Sequence, residues 1–238
     1  MNQLISECRN FFEEFIHPYA ICGGYALELF VGTSVRSHSD LDITVFHEDK
    51  QNIIAYILSK GWNIYEPKHD PDSLRLITDA DAEEALDCLC FWAVKPGCTL
   101  VDIRAMKSNE NMYSYKIMNE EQLNFEFIEI IFNAQKDGRF VCDAAKGVMR
   151  ELDKAFLYYE GIPYLAPEVI LYFISDPAYI ESDYHREKNN TDWNAVPPLL
   201  SPESLKWLIN VLKTAYPEGN RRLDEMIALK ESSFGGHI

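Results

Sequence analysis

Basic residues are in short supply in this chain: 22 lysines and arginines stand against 38 aspartates and glutamates, for a formal net charge of −16 over 238 residues. A protein that grips duplex nucleic acid normally offers its phosphates a basic surface, so nucleic acid is disfavoured as a partner. The same charge suits a cationic small molecule, although acidity also serves solubility alone. Long hydrophobic runs are missing too. The longest apolar stretches, such as Tyr164 to Ile174, are broken by residues like Pro167 and Glu168 and fall short of the roughly 20 residues a membrane helix requires. The opening Met1-Asn2-Gln3-Leu4 has no basic region or hydrophobic core of the secretory kind, so a soluble cytoplasmic protein is expected. Of the six cysteines (Cys8, Cys22, Cys88, Cys90, Cys98, Cys142), no two form a CxxC pair or lie at zinc-finger spacing. They read as reduced, small core residues. His17, His47, His69, His185 and His237 show no ligand spacing either, and there is no repeat or low-complexity run.

What is present is an ordinary globular composition, 47% hydrophobic and 25% charged, in a chain long enough for one large domain or two modest ones. Leu4, Ile5, Cys8, Phe11, Phe12 and Phe15 recur at helical spacing and predict a helix from Gln3 to Phe15. His17-Pro18 ends it. Tyr19 to Cys22 reads as a short buried strand, Gly23-Gly24 breaks it, and Tyr25 to Val31 is helical again. Leu41 to Phe46 is the clearest strand, and Lys50 to Lys60 a helix closed by Gly61. Further strands are expected at 62–65, 74–78, 88–94, 99–105, 113–118 and 125–132. Beyond Gly138 the pattern predicts helices near Cys142 to Leu157, Pro167 to Ser175, Pro202 to Ala215 and Gly219 to Ser232, with a long polar loop from Asp176 to Pro198. The expected fold is α+β: a mixed-sheet domain over residues 1–138 followed by a mainly helical domain over 139–238.

The order strand, Gly-Gly, helix, strand opening with Asp-x-Asp is more informative than any of its pieces. Residues i and i+2 of a strand share a face, so Asp40 and Asp42 project together while Leu41, Ile43 and Val45 enter the core. Adjacent carboxylates repel, and a divalent cation is the usual reason to bring them together; Mg²⁺ accepts one or two of them along with substrate phosphates. Gly-Gly at a helix start frees backbone N–H groups for an anion and aims the helix dipole at it. Taken singly, Gly-Gly is usually a turn, Asp-x-Asp a solvated strand end, and Arg36 and His38 ordinary surface residues.

Gly23-Gly24-Tyr25-Ala26-Leu27-Glu28-Leu29-Phe30 and Arg36-Ser37-His38-Ser39-Asp40-Leu41-Asp42-Ile43 resemble the GG-x-A-L-x-L-F and R-x-H-x-D-(L/I)-D-(I/L/V) signature of the nucleotidyltransferase superfamily, in particular its aminoglycoside 2''-nucleotidyltransferase-like and lincosamide nucleotidyltransferase-like group. Gly161 to Glu168 resembles that group's G-I-P-Y-L-x-P-E segment, and Lys188 to Trp193 its K-D-x-x-D-(F/W) segment. The resemblance implies Mg²⁺-dependent transfer of a nucleoside monophosphate from an NTP to an acceptor hydroxyl, with loss of pyrophosphate. Asp40 and Asp42 would hold a two-metal site, Gly23 and Gly24 would cradle the triphosphate, and Arg36 would neutralise part of its charge.

A third carboxylate normally completes such a site and serves as base, and two residues compete for the role. Glu129 lies within Phe125-Glu126-Phe127-Ile128-Glu129-Ile130-Ile131-Phe132, where an unpaired charge is costly unless metal-bound. Asp102, in Leu100-Val101-Asp102-Ile103-Arg104, shares its face with Arg104. Glu129 is favoured, and a solvent-facing charge at a sheet edge is the plain alternative for both. The sequence also departs from the pattern: Tyr172-Phe173-Ile174 replaces an expected lysine, and Asn189 an expected aspartate. Lys188 is left as the positive group from the second domain. Three functions compete: transfer to a small-molecule acceptor, nucleotidylation of tRNA or protein, and a nucleotide-binding module without turnover.

Overall fold

The computed structural model describes residues 3–69, 72–78, 88–106, 111–119, 121–181 and 183–234. The chain forms two compact units, one of Met1–Ile21 and Ser37–Ala134, the other of Cys22–Arg36 and Gln135–Ile238. The segment Cys22–Arg36 thus belongs with the carboxy-terminal half, something that position along the chain does not suggest.

In the first unit, α1 (Gln3–Phe11) buries Leu4, Ile5 and Cys8, the face marked by the helical spacing. It stops short of the expected Phe15. Phe12 and Phe15 lie beyond it, still buried, because their rings pack on Tyr19 and Tyr56, and that packing outweighs the weak helix preference of phenylalanine. Helix α3 (Lys50–Ser59) buries Ile53, Ile54 and Ile57. Gly61 follows it at φ 76°, a left-handed stop that glycine enters without strain.

Eight strands accompany these helices: β1 (Tyr19–Cys22), β2 (Asp42–Phe46), β3 (Asn63–His69), β4 (Asp72–Ile77), β5 (Cys90–Val94), β6 (Val101–Ala105), β7 (Met112–Ile117) and β8 (Phe127–Lys136). Their order is β1-β2-β8-β5-β3-β4-β7-β6. The β2–β8 pair is parallel, and every pair from β8 outward to β6 is antiparallel, so the sheet is mixed. Tyr65, Leu74, Val94, Leu100, Val101 and Phe127 form a core cluster on it.

The second unit contains α2 (Gly23–Val31), then β9 (Arg139–Asp143) paired with β10 (Val148–Glu151), α4 (Leu152–Ala155), and β11 (Phe156–Tyr159) paired with β12 (Ile162–Leu165). Helices α5 (Pro167–Phe173), α6 (Pro177–Glu181), α7 (Asp183–Ala195), α8 (Pro202–Ala215) and α9 (Arg221–Phe234) complete it. The expected helix from Cys142 to Leu157 is overturned. Gly147 stands in its middle at φ 67°, and burial along β9 and β10 alternates with a period of two. The expected loop from Asp176 to Pro198 is overturned as well, since α6 and α7 occupy it. Among the residues α7 buries are Asn189, Asp192 and Trp193, so much of its inward face is polar and gives no hydrophobic periodicity. Arg150 of β10 and Glu168 of α5 form a buried ion pair at 2.7 Å, and Ser204 of α8 donates to the same carboxylate oxygen at 3.0 Å. The cysteines are all free. Among the described residues, no helix is long and apolar enough to cross a membrane.

Candidate functional site

Asp42 opens β2, and the parallel register sets it beside Glu129 of β8. The Glu129 N–H donates to the Leu41 carbonyl at 3.0 Å, which fixes that register. Alternation sends Leu41, Ile43 and Val45 into the core, none more than 2% exposed, and puts Asp40 and Asp42 on the opposite side. In β8 the same alternation buries Ile128, Ile130 and Phe132 and turns Glu129 toward Asp42. One carboxylate oxygen from each of Asp40, Asp42 and Glu129 lies within 4.8 Å of the other two, and all three residues are half-buried. Three like charges this close, partly screened from water, repel one another strongly. The donor set consists of hard oxygens alone, which suits Mg²⁺ or Mn²⁺ better than zinc.

Strand β5 forms the other flank of Glu129. Trp92 of β5 lies opposite it on the flank away from Asp42. The nearby Cys90 thiol is pushed up to about 12, first by burial and then by the charge and hydrogen bond of Glu129, with smaller contributions from Cys88 and Asp42; it therefore stays neutral at physiological pH. Asn133, farther along β8, donates to the Thr44 hydroxyl at 2.7 Å. Asp102 is elsewhere. It lies on the edge strand β6, where Arg104 Nη2 approaches it at 2.6 Å and Nε at 2.9 Å. The fold brings Glu129, and not Asp102, to the two aspartates.

The remaining expected site residues belong to the second unit, apart from His38. Gly23 and Gly24 form the first turn of α2, with Gly23 at φ 59°, where a side chain would introduce strain. Arg36 does not project freely: it forms a two-toothed pair with Asp192 of α7. Lys188 is half-buried on the same helix, one residue before the buried Asn189. Within Tyr172-Phe173-Ile174, the stretch where a lysine was expected, the Tyr172 hydroxyl donates to Asp143 at 3.2 Å. His38 is buried, 5% exposed, and so is not an ordinary surface residue.

Three residues with no assigned role prove to be structurally engaged. Asp192 was visible within the Lys188 to Trp193 match, but nothing marked it as a partner of Arg36. Glu28, inside the Gly-Gly signature, accepts from Ser34 and from the Val35 N–H, both at 2.8 Å. Gln122, 2% exposed, donates its backbone N–H to the His38 carbonyl at 2.9 Å, and no sequence signal pointed to it.

Residues 5–140, more than half of the chain, match the family described as aminoglycoside-2''-adenylyltransferase. No match is found among curated protein sequences. Similar solved structures include the lincosamide antibiotic adenylyltransferase LnuA with lincomycin bound, 16% identical, covering 81% of this chain and 96% of that one at a TM-score of 0.44. Another is ANT(2'')-Ia in complex with adenylyl-2''-tobramycin, 13% identical over 97% of each chain with a TM-score of 0.40. A third is an antigenic nucleotidyltransferase-like protein from Paracoccidioides brasiliensis, 16% identical over 98% of this chain and 95% of that one, with a TM-score of 0.49. These likenesses are distant, so the assignment stands on the family match. The chain belongs to the aminoglycoside-2''-adenylyltransferase family and is a nucleotidyltransferase of the adenylyltransferase type.

Proposed function

We propose that this protein transfers a nucleoside monophosphate from an NTP to a hydroxyl of a small-molecule acceptor, releasing pyrophosphate, with Mg²⁺ as its metal. The observation that carries this reading is the cluster of Asp40, Asp42 and Glu129 within a chain of this family. These carboxylates are the residues that would hold Mg²⁺, which when bound neutralises phosphate charge and orients the attacking and leaving oxygens. Glu129 has the further task of accepting the proton of the acceptor hydroxyl. The first turn of α2, at Gly23 and Gly24, offers backbone N–H groups and a helix dipole to the triphosphate, and Lys188 adds a positive charge. Arg36 was expected to share that work, but its charge is already matched by Asp192. A net charge of −16 favours a cationic acceptor, because the field of the protein concentrates cations around it.

The test is pyrophosphate release with Mg²⁺, each NTP in turn and an acceptor panel. The panel includes tobramycin and lincomycin, whose forms occupy two of the similar structures, and an uncharged polyol as control. Turnover with at least one NTP and acceptor pair, lost in Asp42→Asn, is the expected result. No release above the Asp42→Asn background with any pair would overturn the reading for small molecules. Radiolabel from NTP appearing in RNA or protein bands of a lysate would move the acceptor to a macromolecule.

A further inference from the structure

The carboxylate cluster has aromatic neighbours on the flank that its aspartates do not fill. The register places Asp42 beside Glu129, Glu129 beside Trp92 and Trp92 beside Tyr65, so one row crosses β2, β8, β5 and β3 on a single face of the sheet. Side chains directly opposite in an antiparallel pair have Cβ atoms about 5 Å apart, which makes Trp92 the immediate neighbour of the Glu129 side chain. All four residues belong to the first unit, and strand pairing alone fixes the row.

Tyr65 is 7% exposed and belongs to the core, whereas Trp92 is only half-buried. Two rings meet the indole edge-on and hold it: Tyr115 of β7 at 5.0 Å and 80°, and Phe127 at 5.3 Å and 70°. Phe127 and Glu129 are two residues apart on β8 and share its face, so the indole leans toward the amino-terminal end of that strand. At the same end Asp40 leads into the parallel β2. A packed indole with part of its surface in solvent, beside three carboxylates, combines two attractions for one ligand. The acids draw a cation, and the ring face takes an ammonium over its π-system and apolar C–H surface against its body.

Proton transfer sets the direction of approach. A hydroxyl that gives its proton to Glu129 has to come within hydrogen-bond reach of that carboxylate. Asp42 fills one flank of Glu129, the side committed to the metal and the phosphate charge it neutralises, and Trp92 forms the other. We propose that Trp92 is the platform for the acceptor: it packs against a saturated ring that carries ammonium groups and presents one of that ring's hydroxyls to Glu129. The inference rests on the proposed reaction and names the residue that selects its acceptor.

The experiment compares the parent with Trp92→Leu and Trp92→Phe, after thermal unfolding has identified the folded ones. Tobramycin is the cationic probe and the uncharged polyol the control. Affinity is measured by calorimetry with Mg²⁺ present, and KM is measured separately for tobramycin and for the NTP. Trp92→Leu should weaken tobramycin affinity and raise its KM by about 5- to 30-fold, the loss of one partly desolvated cation–π contact, with KM for the NTP within about twofold. Trp92→Phe keeps an aromatic face and should fall between the two. Because Trp92→Leu also removes packing against Tyr115 and Phe127, a further measurement leaves the volume nearly unchanged. The protein is produced with 5-fluorotryptophan, which draws electron density from the ring face. Tobramycin affinity should then fall by about two- to threefold in the parent and stay unchanged in Trp92→Phe, and this pair of measurements carries the test if Trp92→Leu does not fold. Equal tobramycin affinity in the folded variants and the parent, no tobramycin binding by the parent, or a rise in KM confined to the NTP would overturn the platform. Absence of turnover in the parent is a different result: it sinks the proposed reaction, and the platform then stands or falls on the calorimetry.

Discussion

Glu129 and Asp102 are carboxylates on strands of one sheet, and they differ in their neighbours. Glu129 is on β8, between β2 and β5, with Asp42 beside it on one flank and Trp92 on the other. Nearby are further acids and a neutral thiol. Asp102 is on the edge strand β6, with the arginine two residues along the same strand folded onto it. A carboxylate at an edge finds its counter-charge locally and is finished. One held among other acids in the middle of a sheet shares its site with like charges, and that is the setting the proposed metal would occupy.

The sharpest way to break this contrast is at its centre. Asp42→Asn keeps the volume and removes one charge of the cluster. If the cluster binds the catalytic metal, several kcal/mol of transition-state stabilisation are lost, a fall in kcat of about 10³-fold or more. Pyrophosphate release measures it, and Mn²⁺ resonance should show binding lost in parallel. Next in size is the paired comparison of Glu129→Gln with Asp102→Asn. The first should lower kcat by about 10²-fold, as loss of a positioned base or ligand does, and the second should leave kcat within about twofold, as expected of a surface group. Equal losses in the two variants would erase the distinction drawn above.

The contrast was partly legible in the sequence. The alternation of Leu41 to Phe46 gave β2 its inward face, and the apolar run around Glu129 singled out a charge in need of a partner; both are local signals. The hairpins of 139–165 were hidden because Gly147 and the period-two burial of β9 and β10 sit among residues that also read as helical. Helix α7 was hidden for the opposite reason, since Asn189 and Asp192 are polar residues facing inward. The partner of Arg36 lies 156 positions away, and no local pattern reports a pairing of that range. Ion pairs between distant elements are a property of the fold, whereas strand faces are a property of the strand.

A third and smaller effect concerns stability. In metal-free protein the three carboxylates repel, so Glu129→Gln should be more stable than the parent by about 1 kcal/mol, the size of one close like-charge interaction at a partly screened site. Saturating Mg²⁺ should reverse the order. At a concentration about 100 times Kd, the parent gains about 2.7 kcal/mol by mass action, and the variant gains less because it binds more weakly. Urea unfolding with and without Mg²⁺ checks both halves, and Asp102→Asn should show neither.

The smallest expected effect tests the other side of the contrast. Arg104 is well exposed and Asp102 about one-third exposed. Water and salt screen such a pair, and holding two side chains in one geometry offsets most of what attraction remains. Arg104→Gln should therefore leave Tm within about 2 °C of the parent and leave NTP turnover unchanged. Removing the arginine also frees the Asp102 carboxylate, which makes the variant informative beyond stability. Were Asp102 a third ligand kept in reserve, its release would alter Mn²⁺ affinity or the pH dependence of kcat. Unchanged values of both would place it outside the reaction on functional grounds as well as by its position at the sheet edge.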